Sequence, residues 1–213
     1  SLDVNFTAYP IVNGNDMFDI KHKVFNPSDL RQCIGQVAFS SKSTVLQSIN
    51  TASNYFPIWK NFNLEKKIAI ITKFAELLES NQEKLLKICV LEAGKTIKDS
   101  INDIREAIDF CYYYASEALR IFKEPTELQG PTGEKNKLVY EGKGVIFTIS
   151  PWNFPIAIFT GQIVAPLLAG NTIIAKPAEQ TSIIAYELLK LFLEAGLPKG
   201  ALQLLLGEGE NIG

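Results

Sequence analysis

The chain has 213 residues, 46% hydrophobic and 21% charged, an ordinary globular composition long enough for one large domain or one and a half, which excludes a disordered tail. With 21 Lys and Arg against 23 Asp and Glu, the net charge of -2 supplies no basic field for a phosphate backbone, so no nucleic-acid partner is expected. Three cysteines (Cys33, Cys89, Cys111) and one histidine (His22) are too few and too scattered for a zinc site or a disulfide framework; no metal is expected, and a reducing, cytoplasmic compartment fits.

The opening segment, SLDVNFTAYP, has neither a basic start nor an apolar core and is no secretory signal. It does not begin with Met, and the closing GEGENIG normally leads into something, so the chain reads as a piece of a longer polypeptide. Residues 1 to about 55 are mixed, with turn signals at Asn13-Gly14-Asn15-Asp16 and Asn26-Pro27-Ser28-Asp29 and nothing that carries chemistry.

From Asn63 the pattern turns helical: Asn63 can cap, and Leu64, Ile68, Ile71, Ala75 and Leu78 recur on one face. A second helix over about 82–93 buries Leu85, Leu86, Cys89 and Val90, with Gly94 suited to the left-handed residue that ends it. A third, long helix places Ile97, Ile101, Ile104, Ile108, Cys111, Ala115, Leu119 and Phe122 on its stripe and packs on the second. Glu92, Asp99, Asp103, Arg105, Glu106 and Asp109 fall mostly off that stripe and read as a solvated face. The turn cluster at 130–136 is followed by a strand-like 137–141, a β excursion.

Residues 144–175 contain no Asp, Glu, Lys, Arg or His, yet Pro151, Asn153, Pro155, Gly161, Gln162, Pro166, Gly170 and Asn171 interrupt the roughly 20 apolar residues that a membrane span requires. The stretch reads as part of a parallel unit covered on both faces: strand 145–149, helix 155–169, strand 172–175, helix 182–195, strand 202–206. The fold class is therefore α/β, an N-terminal helical part plus half of a doubly wound parallel sheet. Ligands bind beyond the carboxyl ends of such strands, which singles out three loops.

In the first, SPWNFP, Asn153 either caps the next helix or donates its carboxamide to a developing oxyanion; Trp152 is a wall residue either way. In the second, KPAEQT, Lys176 ends a strand and Glu179 follows. Glu179 either accepts the adenosine ribose hydroxyls, repelling a phosphate and so favouring NAD over NADP, or stabilises the next helix N-terminus. The third gives G-x-G-x-x-x-G over 207–213, one residue longer than the usual dinucleotide fingerprint; glycines there let backbone approach a pyrophosphate. Cys89 and Cys111 lie on apolar stripes and read as inert packing, and Cys33 has no second histidine with which to form a dyad.

Jointly, the strand-PWNFP-helix-strand-KPAEQT-helix-strand-GxGxxxG order over 144–213 resembles the aldehyde dehydrogenase superfamily. Leu91-Glu92-Ala93-Gly94-Lys95-Thr96, Arg105-Glu106-Ala107-Ile108-Asp109-Phe110, Tyr113-Tyr114-Ala115 and GPTGEKN are similar to the proline utilization A type. The resemblance implies an aldehyde attacked by a cysteine thiolate, hydride transfer to NAD, and release of the acid by a glutamate base. It implies Asn153 as oxyanion donor, Lys176 and Glu179 as ribose ligands, Ile149, Ser150 and Trp152 beside the nicotinamide, and Gly209 and Gly213 near the pyrophosphate. The substrate implied is L-glutamate γ-semialdehyde, oxidised in proline catabolism; FAD would belong only to a preceding proline-oxidising domain, and the parent would be cytoplasmic or peripheral at the inner membrane face.

On this resemblance, residues 1–129 are the helical part of the NAD-binding domain, 130–143 an oligomerisation-type hairpin and 144–213 half of its sheet. The family's nucleophile and base follow the glycine loop, so the 213 residues alone are expected to be inactive and, with an exposed sheet edge, to self-associate. Other readings stand beside it: a partial NAD-binding module, a purely structural fragment, another aldehyde dehydrogenase subfamily, and an interaction protein using the helices over 63–122.

Overall fold

The computed structural model describes residues 5–18 and 21–212. The chain opens with β1 (Phe6–Ala8), β2 (Ile11–Val12), β3 (Asn15–Asp16), β4 (Lys21–Asn26) and β5 (Asp29–Ala38). The Asn26-Pro27-Ser28-Asp29 signal is the β4–β5 turn, where Asn26 Oδ1 accepts the Ser28 amide at 2.9 Å. β1 pairs in parallel with β5 to complete a three-stranded sheet.

α1 (Lys42–Lys60) takes up the last part of the stretch expected to be mixed. It escaped the periodicity argument because its buried positions are Thr44, Ser48, Ala52 and Trp59, mostly small or polar, and Pro57 lies inside it. α2 (Leu64–Ser80), α3 (Gln82–Glu92) and α4 (Ile97–Phe122) match the three expected helices. Asn63 caps α2, its Oδ1 accepting the Lys66 amide at 2.9 Å, and Gly94 is left-handed at φ +65° beyond α3. The buried stripe of α4 is turned from the expected one: Ser100, Asp103, Ile104, Ala107, Cys111, Ala115 and Ala118 are buried, whereas Ile97 and Leu119 are exposed. The small residues let α4 lie against α2 and α5 as well as α3.

The β excursion is a hairpin of β6 (Thr126–Leu128) and β7 (Asn136–Leu138); residues 139–141, expected as strand, are not. Then follow β8 (Val145–Ser150), α5 (Ala157–Leu168), β9 (Thr172–Pro177), α6 (Ser182–Glu194), β10 (Leu202–Leu204) and α7 (Gly209–Ile212). β8, β9 and β10 are parallel, as expected, but the sheet is mixed: its order is β3-β2-β10-β9-β8, with the β2–β3 hairpin antiparallel on the β10 edge.

Alternation along β9 separates two apolar layers. Ile173 and Ala175 join the main core with α5 and α6, where Phe74 of α2 stacks on Phe192 of α6 with ring centroids 3.6 Å apart. Ile174 faces the other way, toward Ala52 of α1, Leu205 and Ile212. α1 covers this second face only in part, so Phe147 (42%) and Ile149 (59%) of β8 remain exposed.

Candidate functional site

The register fixes where the three loops lie. Ile149 stands beside Lys176 and Ser150 beside Pro177, while Leu204 stands beside Ala175, and the Leu205 amide donates to the Ala175 carbonyl at 2.9 Å. Because the strands are parallel and adjacent, the loops after β8, β9 and β10 emerge along one edge of the sheet. Asn153, Glu179 and Gly209 therefore belong to one edge. Ile149 and Lys176 also share the sheet face of Ile174, two residues along in each strand.

In the second loop, the Lys176 side chain is 5% exposed, with Nζ 3.9 Å from Glu179 Oε2, whose side chain is 39% exposed. Nζ also donates to the Pro177 carbonyl at 3.0 Å. Burial pulls the ammonium below its ordinary value and Glu179 pushes back. Residues Glu179–Thr181 form one 3₁₀ turn running into α6, and Ser182 Oγ donates to the Glu179 carbonyl at 3.0 Å.

In the first loop, residues 151–154 are all exposed. Asn153 does not cap α5: the cap position is Ile156, and no side chain of the loop accepts a helix amide. The acceptor comes from another helix, since Asp103 Oδ1 of α4 receives the Ala157 amide at 2.8 Å. Lys95, from the turn between α3 and α4, donates to the Asn153 carbonyl at 2.8 Å, lies 3.2 Å from Asp103 Oδ2, and sits 4.4 Å from the Phe154 ring centroid. Ser150 is buried, and its Oγ has no hydrogen-bond partner; Trp152 is exposed.

In the third loop, Gly207 is buried at φ +144° and Gly209 opens α7; a Cβ on Gly209 would meet nothing within 4 Å. Gly213 lies outside the described residues.

Two of the charges expected on a solvated face are buried. Glu92 closes α3 and accepts the Ile183 and Ile184 amides, at 2.7 and 2.9 Å, through its two carboxylate oxygens. Burial pushes its carboxyl up to about 8, against the pull of those two amides. Burial likewise raises Asp103, opposed by the Ala157 amide and Lys95. Each of the two crossover helices thus has its first free amides met by a carboxyl group from an earlier helix. Glu92 follows Ile88 and Cys89 by four and three residues, and Asp103 stands three after Ser100 and four before Ala107. That spacing places both on buried faces, a signal that the charge itself masked.

Cys89 and Cys111 are buried, each thiol pushed up to about 12 by desolvation. Cys33 is exposed on β5, and His22, exposed on β4, stacks on Phe39 with centroids 4.1 Å apart. Among the described residues no cluster of three or more His, Cys, Asp or Glu could hold a metal ion, and no helix is long and apolar enough to cross a membrane.

The sequence profile described as "Aldehyde dehydrogenase family" matches residues 15–213. The chain is 42% identical over 190 residues to the bifunctional protein PutA of Klebsiella aerogenes, covering 89% of this chain and 14% of that protein. It is 35% identical over 204 residues to the 1-pyrroline-5-carboxylate dehydrogenase of Staphylococcus aureus, covering 95% and 40%. The crystal structure of a Thermus 1-pyrroline-5-carboxylate dehydrogenase with bound NAD superposes with a TM-score of 0.94 at 34% identity, covering 99% of this chain and 41% of that one. The chain thus spans about two fifths of the length of such a dehydrogenase and a smaller share of the bifunctional protein.

Proposed function

The chain belongs to the aldehyde dehydrogenase family, and from that membership we propose that it is the cofactor-binding, oxyanion-donating part of an NAD-dependent enzyme oxidising L-glutamate γ-semialdehyde to glutamate in proline catabolism. One observation carries the reading. The Asn153 loop and the Lys176–Glu179 pair leave neighbouring parallel strands at the same edge, Asn153 four residues after Ile149 and Glu179 three after its strand partner Lys176.

The residues present fit NAD. A half-exposed carboxylate beside a buried ammonium suits the two hydroxyls of a ribose and disfavours a 2′-phosphate. Gly209, open on the side a Cβ would occupy, lets backbone approach a pyrophosphate, and the reading assigns Gly213 the same neighbourhood. Ile149, Ser150 and Trp152 border the nicotinamide side in this assignment. The bound dinucleotide would supply the hydride acceptor. Asn153 supplies the oxyanion donor, its carboxamide NH2 aimed at the aldehyde oxygen as that oxygen becomes negative, an interaction worth about 10²–10³-fold in kcat in comparable sites.

The cysteines of this chain do not supply the nucleophile. Cys89 and Cys111 are buried thiols held far from the thiolate, and Cys33 lies on the β4–β5 hairpin. The covalent step therefore depends on residues beyond this chain, as does any flavin-dependent proline oxidation. We place the whole protein in the cytoplasm, where the three unpaired cysteines of this chain stay reduced. The uncovered Phe147 and Ile149 support self-association of the 213-residue chain, read by light scattering, with a clean monomer at high concentration counting against it.

The test is kinetic. The whole protein carrying this chain is expected to form NADH from L-glutamate γ-semialdehyde and to lose about 10²–10³-fold in kcat on Asn153→Ala, with the KM for NAD little changed. The 213 residues alone should form none. Full activity of the Asn153→Ala protein would remove Asn153 from the chemistry.

A further inference from the structure

Lys95 lies just past the left-handed Gly94 that ends α3, its side chain only 11% exposed. An ammonium has three donors and no acceptor, and its surroundings here are few and specific. It meets the Asn153 carbonyl oxygen at 2.8 Å, Asp103 Oδ2 at 3.2 Å and the face of the Phe154 ring at 4.4 Å. Asp103 is fully buried, and its other oxygen receives the Ala157 amide at the first residue of α5. One ion pair thus fastens the loop between β8 and α5 at two places, at Asn153 itself and at the helix start four residues on. The loop's own side chains fasten neither, since none of them caps α5.

Holding the Asn153 carbonyl fixes the peptide plane that follows its Cα, and with it the direction in which the side chain leaves the backbone. Holding the Phe154 ring fixes the wall beside it. We propose that Lys95, backed by Asp103, is a positioning residue that sets the aim of the Asn153 amide. The proposal rests on Asn153 being the oxyanion donor. A displacement near 1 Å in a site of this kind can cost about 10²-fold in rate, so a residue that never touches substrate can still govern kcat.

The experiment is a double-mutant cycle in the whole protein with Lys95→Met, Asn153→Ala and the combination. Lys95→Met is expected to lower kcat about ten- to a hundred-fold with less than about a twofold change in the KM for NAD, because the Lys176–Glu179 pair is untouched. On the Asn153→Ala background it should cost nothing further, and Lys95→Arg should recover part of the loss. Equal losses on the two backgrounds would overturn the proposal and leave Lys95 with a structural role only. An Asn153→Ala protein with full kcat would instead overturn the oxyanion assignment, a distinct result. Should Lys95→Met fail to fold with Asp103 left unpaired, the neutral pair Lys95→Met with Asp103→Asn replaces it, with the same loss expected. Amide hydrogen exchange gives a second readout: faster exchange of residues 156–160 with α6 unchanged supports the clamp, and unchanged exchange at 156–160 overturns it.

Discussion

The loops after β8 and β9 leave the same sheet edge, yet they are held by different means. The second loop is largely self-contained: Lys176 turns back to the Pro177 carbonyl and toward Glu179, a 3₁₀ turn carries the chain into α6, and Ser182 closes on Glu179. The first loop has no such internal bonding. Its four residues are exposed, and their order is imposed by Lys95 from the α3–α4 turn and by Asp103 from α4. The first amides of both helices that follow still need an acceptor, and both find it in a carboxyl group of the N-terminal helices, Asp103 for α5 and Glu92 for α6. The sheet alone therefore does not make the site. The helices before β8 complete it, and more of the first loop depends on them than of the second.

The largest effect is expected at Asp103. Asp103→Ala leaves the Ala157 amide without its acceptor and the Lys95 ammonium buried with no counterion. Removing one partner of a buried pair costs about 3–5 kcal/mol, and urea denaturation should show a loss of that size. A loss below about 1 kcal/mol would mean that water replaces the carboxylate and that the first loop is not held from α4.

At Glu92 the effect should be smaller and should change with pH. Glu92→Gln keeps one acceptor oxygen but turns an NH2 toward the second amide, a cost of roughly 1–3 kcal/mol. The wild-type carboxyl titrates near 8 in the folded chain against 4.5 in the ordinary case. Between those values the native state holds a proton that the unfolded chain has released. The stability tied to this proton is full below about 4.5 and is lost as pH rises through about 8. Denaturation midpoints taken from pH 5 to 8 should therefore fall less steeply in Glu92→Gln than in wild type; parallel slopes would show that the two amides keep the carboxyl at its ordinary value.

These carboxylates also mark the limit of what the sequence made legible. The strand-helix alternation from Val145 to Leu204, the Asn63 cap and the left-handed Gly94 were readable because each follows from local pattern. α1 was not, since a stripe of Thr44, Ser48 and Ala52 has almost no hydrophobic contrast. At Asn153, local chemistry pointed to a cap, but Asp103, fifty positions earlier, already holds the helix amide and leaves the carboxamide uncommitted. Lys95 stood within a recognised motif, yet its partners Asn153 and Phe154 lie beyond a 26-residue helix, a distance that spacing arguments do not span.

Glu179 separates the two loops at the lowest energetic cost. Its side chain is partly exposed, it caps nothing through its carboxylate, and its contact with Lys176 is long at 3.9 Å. Glu179→Gln should therefore change folding stability by no more than about 0.5 kcal/mol. Binding should respond differently. If the carboxylate accepts both ribose hydroxyls, the amide keeps one acceptor and loses the charge, and each charge-assisted hydrogen bond lost is worth about 1.5–3 kcal/mol. Calorimetric titration should then show NAD binding weakened at least tenfold in a protein as stable as wild type. Discrimination against NADP should shrink at the same time, because the charge that repels a 2′-phosphate is gone. Unchanged affinity for both dinucleotides would return Glu179 to the service of the α6 N-terminus, and the second loop would then be as purely structural as its self-contained bonding allows.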